Sequence, residues 1–158
     1  MNKTEVIALL KQHKNDAGVR KWHENSSSPL KSFGLGLTVL RKLAKQIGRD
    51  HDLAIKLWNT DIYDAKVVGL LIDDQKRITR TQAEEQVDNL NSSELAHVFS
   101  SCDATLAKSA FVVELVDDWV YNSDLVRRRC GYGLLYEVSK SKRRLLRMTI
   151  ILRRRFDI

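Results

Sequence analysis

Ser32-Phe33-Gly34-Leu35-Gly36-Leu37-Thr38-Val39-Leu40-Arg41-Lys42-Leu43-Ala44-Lys45-Gln46-Ile47-Gly48 is the stretch whose spacing sets the architecture. Leu37, Leu40, Ala44 and Ile47 fall at i, i+3, i+7 and i+10, one face of an α-helix, and Gly48 is the residue type at which such a helix stops. Asp50 then stands where a second helix needs its cap, and residues 50–59 bury Leu53, Ala54, Leu57 and Trp58. Helices this short, joined by turns this short, pack as antiparallel neighbours.

The same pattern extends outward in both directions. Upstream, Asn25-Ser26-Ser27-Ser28-Pro29 carries the one proline and reads as a loop. Before it, residues 1–24 read as an N-terminal helical segment in which Val6, Leu9 and Leu10 share a face. Downstream, residues 61–72 place Ile62, Ala65, Val68 and Ile72 at helical spacing, and Thr79-Arg80-Thr81-Gln82 has the spacing of a capping box. Ser93 opens a helix through Phe99, residues 109–121 form another, and Ser123 is placed to cap a helix through about Ser139. Residues 142–155 are compatible with a last, ragged helix, and strand-like alternation is sustained nowhere. The fold class expected is all-α: one domain over 1–158, a HEAT-like helical-repeat superhelix of antiparallel helix pairs, at roughly 35–45 residues per pair. No crisp internal repeat is visible, so a plain helical bundle is the alternative. A solenoid would offer a concave face suited to extended partners.

Charge is distributed unevenly along this array. Residues 127–158 hold 11 Lys/Arg against 2 Asp/Glu, a net of +9, while residues 1–126 hold 16 against 18, a net of −2. The basic residues cluster as Arg127-Arg128-Arg129, Lys142-Arg143-Arg144 and Arg153-Arg154-Arg155. A near-neutral body with one basic end points to a polyanion, with a solvated helix face as the plainer reading. Three consecutive arginines span about 200° of a helix at ~3.6 residues per turn, so one is expected at the partner, one in solvent and one along the core edge. No apolar run approaches the ~18–20 residues that span a membrane. The two cysteines, Cys102 and Cys130, form no CxxC pattern and read as reduced thiols of a cytoplasmic protein. His13, His23, His51 and His97 lack metal-ligand spacing, and no metal or cofactor is expected.

Asp103 is the residue to which chemistry attaches most readily. It follows His97-Val98-Phe99-Ser100-Ser101-Cys102 at a helix junction, where a carboxylate caps a helix beginning at Ala104. A carboxylate beside an aromatic face also stabilises a developing cation, and Phe99 lies one turn before it. Trp58 and Trp119 read as core anchors, and Trp22 is ambiguous. The chain has no GxGxxG, no P-loop and no GxSxG elbow, which excludes the nucleotide-binding and serine-hydrolase classes that depend on them.

Four segments in series resemble the DNA alkylation repair family of HEAT-like-repeat proteins. The run 32–45 resembles its Gly-rich turn and following Leu-Arg…Ala-Lys helix; His51-Asp52-Leu53-Ala54-Ile55-Lys56-Leu57-Trp58 with Asp64-Ala65-Lys66 resembles the next stretch. Phe99-Ser100-Ser101-Cys102-Asp103 falls at the family's "tryptophan-aspartate-x-cysteine-aspartate", and Val126-Arg127-Arg128-Arg129-Cys130-Gly131 at its arginine followed by small residues. The resemblance covers about 32–140, leaving 141–158 as a basic extension. It implies a helical superhelix holding duplex DNA, alkylated or not, on a basic concave surface. It implies, in active members, glycosylase chemistry on N3- and N7-alkylated purines without deep base flipping. Carried over, Asp103 would be the catalytic carboxylate, Phe99 the first cleft aromatic, Arg129 (with Arg127 and Arg128 beside it) a DNA-backbone contact, and Arg41 a DNA-binding residue that helps place the entry helix.

Two departures temper that expectation. Phe at 99 keeps a π face but lacks the indole's area and N–H. The family's second cleft tryptophan and neighbouring arginine belong to a later repeat than those present up to Ile158, so weak or absent excision is expected. A non-catalytic DNA-binding module and a protein-interaction scaffold are the competing functions.

Overall fold

α5 (Tyr63–Ile72) is the most enclosed helix of the chain, and the others are placed by what they pack against it. A computed structural model describes residues 1–90, 92–101 and 103–156, with the side chains at 144, 145, 152 and 154–156 outside the described set. Cys102, one of the two expected thiols, lies outside the described residues, as do the side chains of Arg144, Arg154 and Arg155 from the basic clusters. In order along the chain, the remaining helices are α1 (Lys3–Gln12), α2 (Asp16–Asn25), α3 (Leu37–Ile47), α4 (His51–Trp58), α6 (Arg80–Asp88), α7 (Ser93–Ser100), α8 (Val112–Val120), α9 (Leu125–Ser139) and α10 (Lys142–Phe156). A single 3-10 turn, Thr105–Lys108, separates α7 from α8.

Local chemistry starts and stops these helices. Asn2 and Glu5 form a reciprocal capping box on α1, while Asp50, Thr79 and Ser92 each accept from the backbone N–H of N3 on α4, α6 and α7. The cap of α9 is Asp124, which accepts from Arg127 N, rather than the neighbouring Ser123 that the sequence suggested. The carboxylate reaches the orphan N–H and also complements the positive helix N-terminus.

α3, α5, α7 and α9 run side by side in the same direction. Before α3 and α5, Lys31 N donates to Asp61 O and Tyr63 N donates to Lys31 O, both at 2.8 Å, and after them Asp50 N donates to Ile72 O at 2.9 Å. Thr105 Oγ1 on the Asp73 carbonyl aligns the ends of α7 and α5, and Ser100 beside Gly133 sets α9 along α7. α4 returns antiparallel behind α5, where Lys66 Nζ donates to Trp58 O at 2.6 Å and lies over the Trp58 ring. α8 returns in the same way behind α9. This is the all-α array of antiparallel helix pairs expected from the spacing.

Two buried carboxylates pin the row. Asp64 accepts from Ser32 Oγ and from the backbone N–H groups of Phe33 and Leu35, at 2.7–3.1 Å, and so fixes the turn that leads into α3. Burial nevertheless pushes its carboxyl above the usual range, against the pull of those three donors. Asp73, at the end of α5, accepts from His51 Nδ1 (2.6 Å) and Gln82 Nε2 (2.7 Å), and its carbonyl accepts from Arg49 Nη1 and Thr105 Oγ1. One residue thereby ties α4, α6 and the turn after α7 to α5.

The core runs as one cluster from Val6 to Met148. At its centre Phe99 lies between two tryptophans, with ring centroids 6.5 Å from Trp58 and 6.1 Å from Trp119, confirming both indoles as core anchors. Trp22 is half-buried, donating its N–H to Leu30 O and packing on Tyr63. The last helix packs on α8 and α9 and buries Met148.

Candidate nucleic-acid interface

Because α3 and α5 end together, their last turns and the loop after α7 enclose a groove of about 510 Å³. Arg41, Ala44 and Lys45 of α3 and its C-cap Gly48 line it at i, i+3, i+4 and i+7, with Arg49 beyond; Leu71, Ile72, Asp103 and Lys108 complete it. Four cationic side chains and one carboxylate thus line the groove. Arg49 is braced by its hydrogen bond to the Asp73 carbonyl, 2.9 Å long. Basic residues at the ends of helices also complement the negative pole of the helix dipole.

Asp103 does not cap a helix. It sits at φ 66°, the described non-glycine residue with positive φ, and the 3-10 turn is capped by Ala104 instead. Asp tolerates this left-handed conformation better than most residues, yet it costs about 1 kcal/mol or more. The side chain is 68% exposed, and Oδ2 lies 3.3 Å from Arg41 Nε. Two of the residues singled out by the sequence thus meet in space, across α3 and the α7–α8 junction.

Phe99 is not a groove residue. It is 0% exposed and enclosed by Trp58 and Trp119, so neither ring face is open to a ligand. With apolar neighbours on the buried face of α7, the ring gains more by joining the core than by lining water. Its contribution is to hold the helix that leads to Asp103.

The three consecutive arginines part company as helix geometry requires. Arg127 is 19% exposed and bound to two carboxylates of α6: Nε and Nη2 reach Glu84 at 3.1 and 3.0 Å, and Nη1 reaches Asp88 at 2.7 Å. It is a tie between helices rather than a DNA contact. Arg128 folds back on the Ser123 carbonyl. Arg129 is exposed and makes no ion pair among the described residues.

Arg129 shares its face of α9 with Tyr132, Tyr136 and Lys140, all exposed. Lys140 is held above its ordinary pKa chiefly by its hydrogen bond to Glu137, and Gly133 of the same helix packs on Ser100, three residues before Asp103. α9 reaches this position through two glycines. A Cβ on Gly131 would lie 2.8 Å from Val120 N, and one on Gly133 2.6 Å from Ser100 Oγ, so α8 and α7 approach closer than any side chain would allow. Cys130, just before Gly131, is buried, and burial pushes its thiol up to about 11, which disfavours the thiolate at neutral pH.

Lys45, Arg49, Lys108 and the two tyrosines were not among the site residues expected from the sequence. The signal for the first was present in the i, i+4 pair Arg41/Lys45 beside Ala44 and Gly48; Lys108 is brought in only by tertiary folding. Among the described residues, no cluster of His, Cys, Asp and Glu is arranged to hold a metal ion, and no helix is long and apolar enough to cross a membrane.

Comparison with known proteins agrees with this architecture. A solved structure described as a new family of proteins related to the HEAT-like repeat DNA glycosylases with affinity for branched DNA structures superposes with a TM-score of 0.79. Sequence identity is 21%, over 90% of this chain and 60% of that one, so the likeness concerns the fold, and this chain spans less than two thirds of that protein's length. Comparison with curated proteins returned no match. The sequence pattern of the family described as DNA alkylation repair enzyme matches residues 6–155, nearly the whole helical array and the groove within it. The chain therefore belongs to the DNA alkylation repair enzyme family.

Proposed function

We propose that this protein binds DNA along the groove at the ends of α3 and α5, with the phosphate backbone neutralised by Arg41, Lys45, Arg49 and Lys108. The observation that carries this reading is the segregation of four cations on one concave surface of a chain whose first 126 residues are slightly acidic overall. Positive charge gathered there, with helix ends as a rigid frame, is the electrostatic footprint of polyanion recognition. Family membership supports DNA as the polyanion, and the structural neighbour's affinity for branched DNA makes a junction a ligand to include. A fluorescence titration of continuous duplex and of a four-way junction tests it. Affinity should fall with log[salt] at about 0.9 per phosphate contact, and a salt-independent affinity would reject the reading.

A second reading is excision of N3- or N7-alkylated purines, for which Asp103 would stabilise the developing cation. The observation favouring it is that the single non-glycine left-handed residue described is this carboxylate, in the groove. Its pairing with Arg41 and the burial of Phe99 weigh toward binding without efficient chemistry. Single-turnover release of 7-methylguanine or 3-methyladenine decides the matter; no release above an Asp103→Asn control leaves binding alone.

A further inference from the structure

Tyr132 and Tyr136 stand one turn apart on α9 and are 58% and 63% exposed. With Arg129 before them and Lys140 after, they form a cation–aromatic–aromatic–cation stripe within about 80° of the helix surface at ~3.6 residues per turn. The other sides of α9 are occupied: Cys130 and Gly133 pack on α7, Gly131 on α8, and α10 covers a further side. The stripe, with Leu125 and Val126 exposed before it, is the uncovered side of α9, and α9 meets α7 at Gly133 and Ser100, three residues before the groove residue Asp103. Phosphate neutralisation explains Arg129 and Lys140, and a tyrosine hydroxyl can donate to a phosphate too, but that contact leaves the two exposed ring faces unused.

We infer that the α9 stripe is a stacking platform for unpaired bases, so that the DNA this chain prefers has a single-stranded element next to duplex. The inference rests on the DNA-binding reading above and specifies its substrate class. The chemistry is that of single-strand recognition: aromatic side chains take up the faces of exposed bases while flanking cations hold the phosphates. Lys140 Nζ lies 4.4 Å from the Tyr136 ring centroid, a cation over a ring that is still 63% exposed. A paired base inside a continuous duplex offers no face to such rings, whereas a gap, flap or junction does.

The test uses the full chain and a duplex bearing a short gap with 2-aminopurine in the unpaired strand. Wild type is expected to bind the gapped duplex about tenfold more tightly than the continuous one and to quench the 2-aminopurine fluorescence. A Tyr132→Ala/Tyr136→Ala variant should lose both the preference and the quench while keeping its affinity for continuous duplex. Tyr132→Phe/Tyr136→Phe should retain both, since the rings remain. Far-UV circular dichroism checks that these exposed substitutions leave the fold intact. Equal affinity for gapped and continuous duplex, or an alanine variant that still prefers and quenches the gap, overturns the inference while leaving the DNA-binding reading standing. Concentration-dependent self-association abolished by the alanine substitutions would also overturn it, by giving the rings to a second copy. Failure to bind any DNA at low salt would remove the DNA-binding reading and this inference together.

Discussion

Arg41 and Asp103 face each other across the groove, Nε to Oδ2 at 3.3 Å, one supplied by α3 and the other by the turn after α7. The Arg41 Nε atom is enclosed yet has no hydrogen-bond partner, so the pair is held by charge rather than by a well-formed hydrogen bond. A carboxylate in this place repels phosphate, and the arginine that answers it is partly withdrawn from DNA. Asp103→Asn should therefore tighten binding to continuous duplex several-fold at low salt, the gain shrinking as salt is raised. If the protein excises alkylated bases, the same substitution should lower the single-turnover rate by about 10²–10³. Binding and chemistry move in opposite directions, so a titration and a release assay on one variant separate the two.

The backbone at Asp103 makes a second, independent prediction. At φ 66° a Cβ is strained and glycine is not. Asp103→Gly and Asp103→Ala remove the same carboxylate, yet the glycine variant should be more stable than the alanine variant by about 1 kcal/mol. Urea unfolding of the two gives the difference, and equal stabilities would show that the turn relaxes without cost.

The groove cations and the α9 arginines should separate in salt dependence. Lys45→Ala with Arg49→Ala should reduce the slope of log K against log[salt] by about 2, and Arg129→Ala by about 1. Arg127→Ala should leave the slope unchanged and lower the thermal midpoint instead, because Glu84 and Asp88 lose the cation between them.

That contrast shows what could be read from the sequence and what could not. Helix α3 was legible to the residue, since Leu37, Leu40, Ala44 and Ile47 report a local period and Gly48 a local stop. The same holds for the Asp50 and Thr79 caps, which act within three residues. Arg127 was misplaced because its partners lie 43 and 39 residues away, and nothing local marks Glu84 or Asp88 as the destination. The groove was invisible for a related reason. Acids elsewhere in residues 1–126 cancel Lys45, Arg49 and Lys108 in any sum along the chain, while folding segregates them in space. Phe99 was expected in the cleft from the family resemblance and from its place one turn before Asp103, but neither says which side of a helix two tryptophans will enclose.

The Arg127 tie has a pH signature. The hydrogen bond from Arg127 holds the Asp88 carboxyl below its ordinary value of 3.8. A group whose folded pKa is depressed contributes stability above its unfolded pKa and loses it as the pH falls through the folded value. The difference in thermal midpoint between wild type and Asp88→Asn should thus be constant near neutrality and shrink below about pH 3.8. Since Asp88 is exposed, the difference should also shrink at high salt. A midpoint difference that persists undiminished at pH 2.5 or so would assign the effect to packing instead.

Gly131 decides how closely α9 can lie on α8, and so where the Arg129–Lys140 face points. Replacing glycine by alanine inside a helix ordinarily gains about 1 kcal/mol of helix propensity. Here the added Cβ would stand 2.8 Å from Val120 N and 2.9 Å from Trp119 C, backbone atoms that cannot rotate away. Overpacking of this kind costs about 1–3 kcal/mol and moves helices apart, so the net effect of Gly131→Ala should be destabilising. Gly133→Ala meets Ser100 Oγ first, at 2.6 Å, and that hydroxyl can turn aside, although Ser100 Cβ and O follow at 3.0 and 3.1 Å. The loss at Gly131 should therefore exceed the loss at Gly133, as read by denaturant midpoints. Relief of the Gly133→Ala defect by a second substitution, Ser100→Gly, would locate the contact at that side chain, while Gly131→Ala, pressed against backbone, should have no comparable rescue.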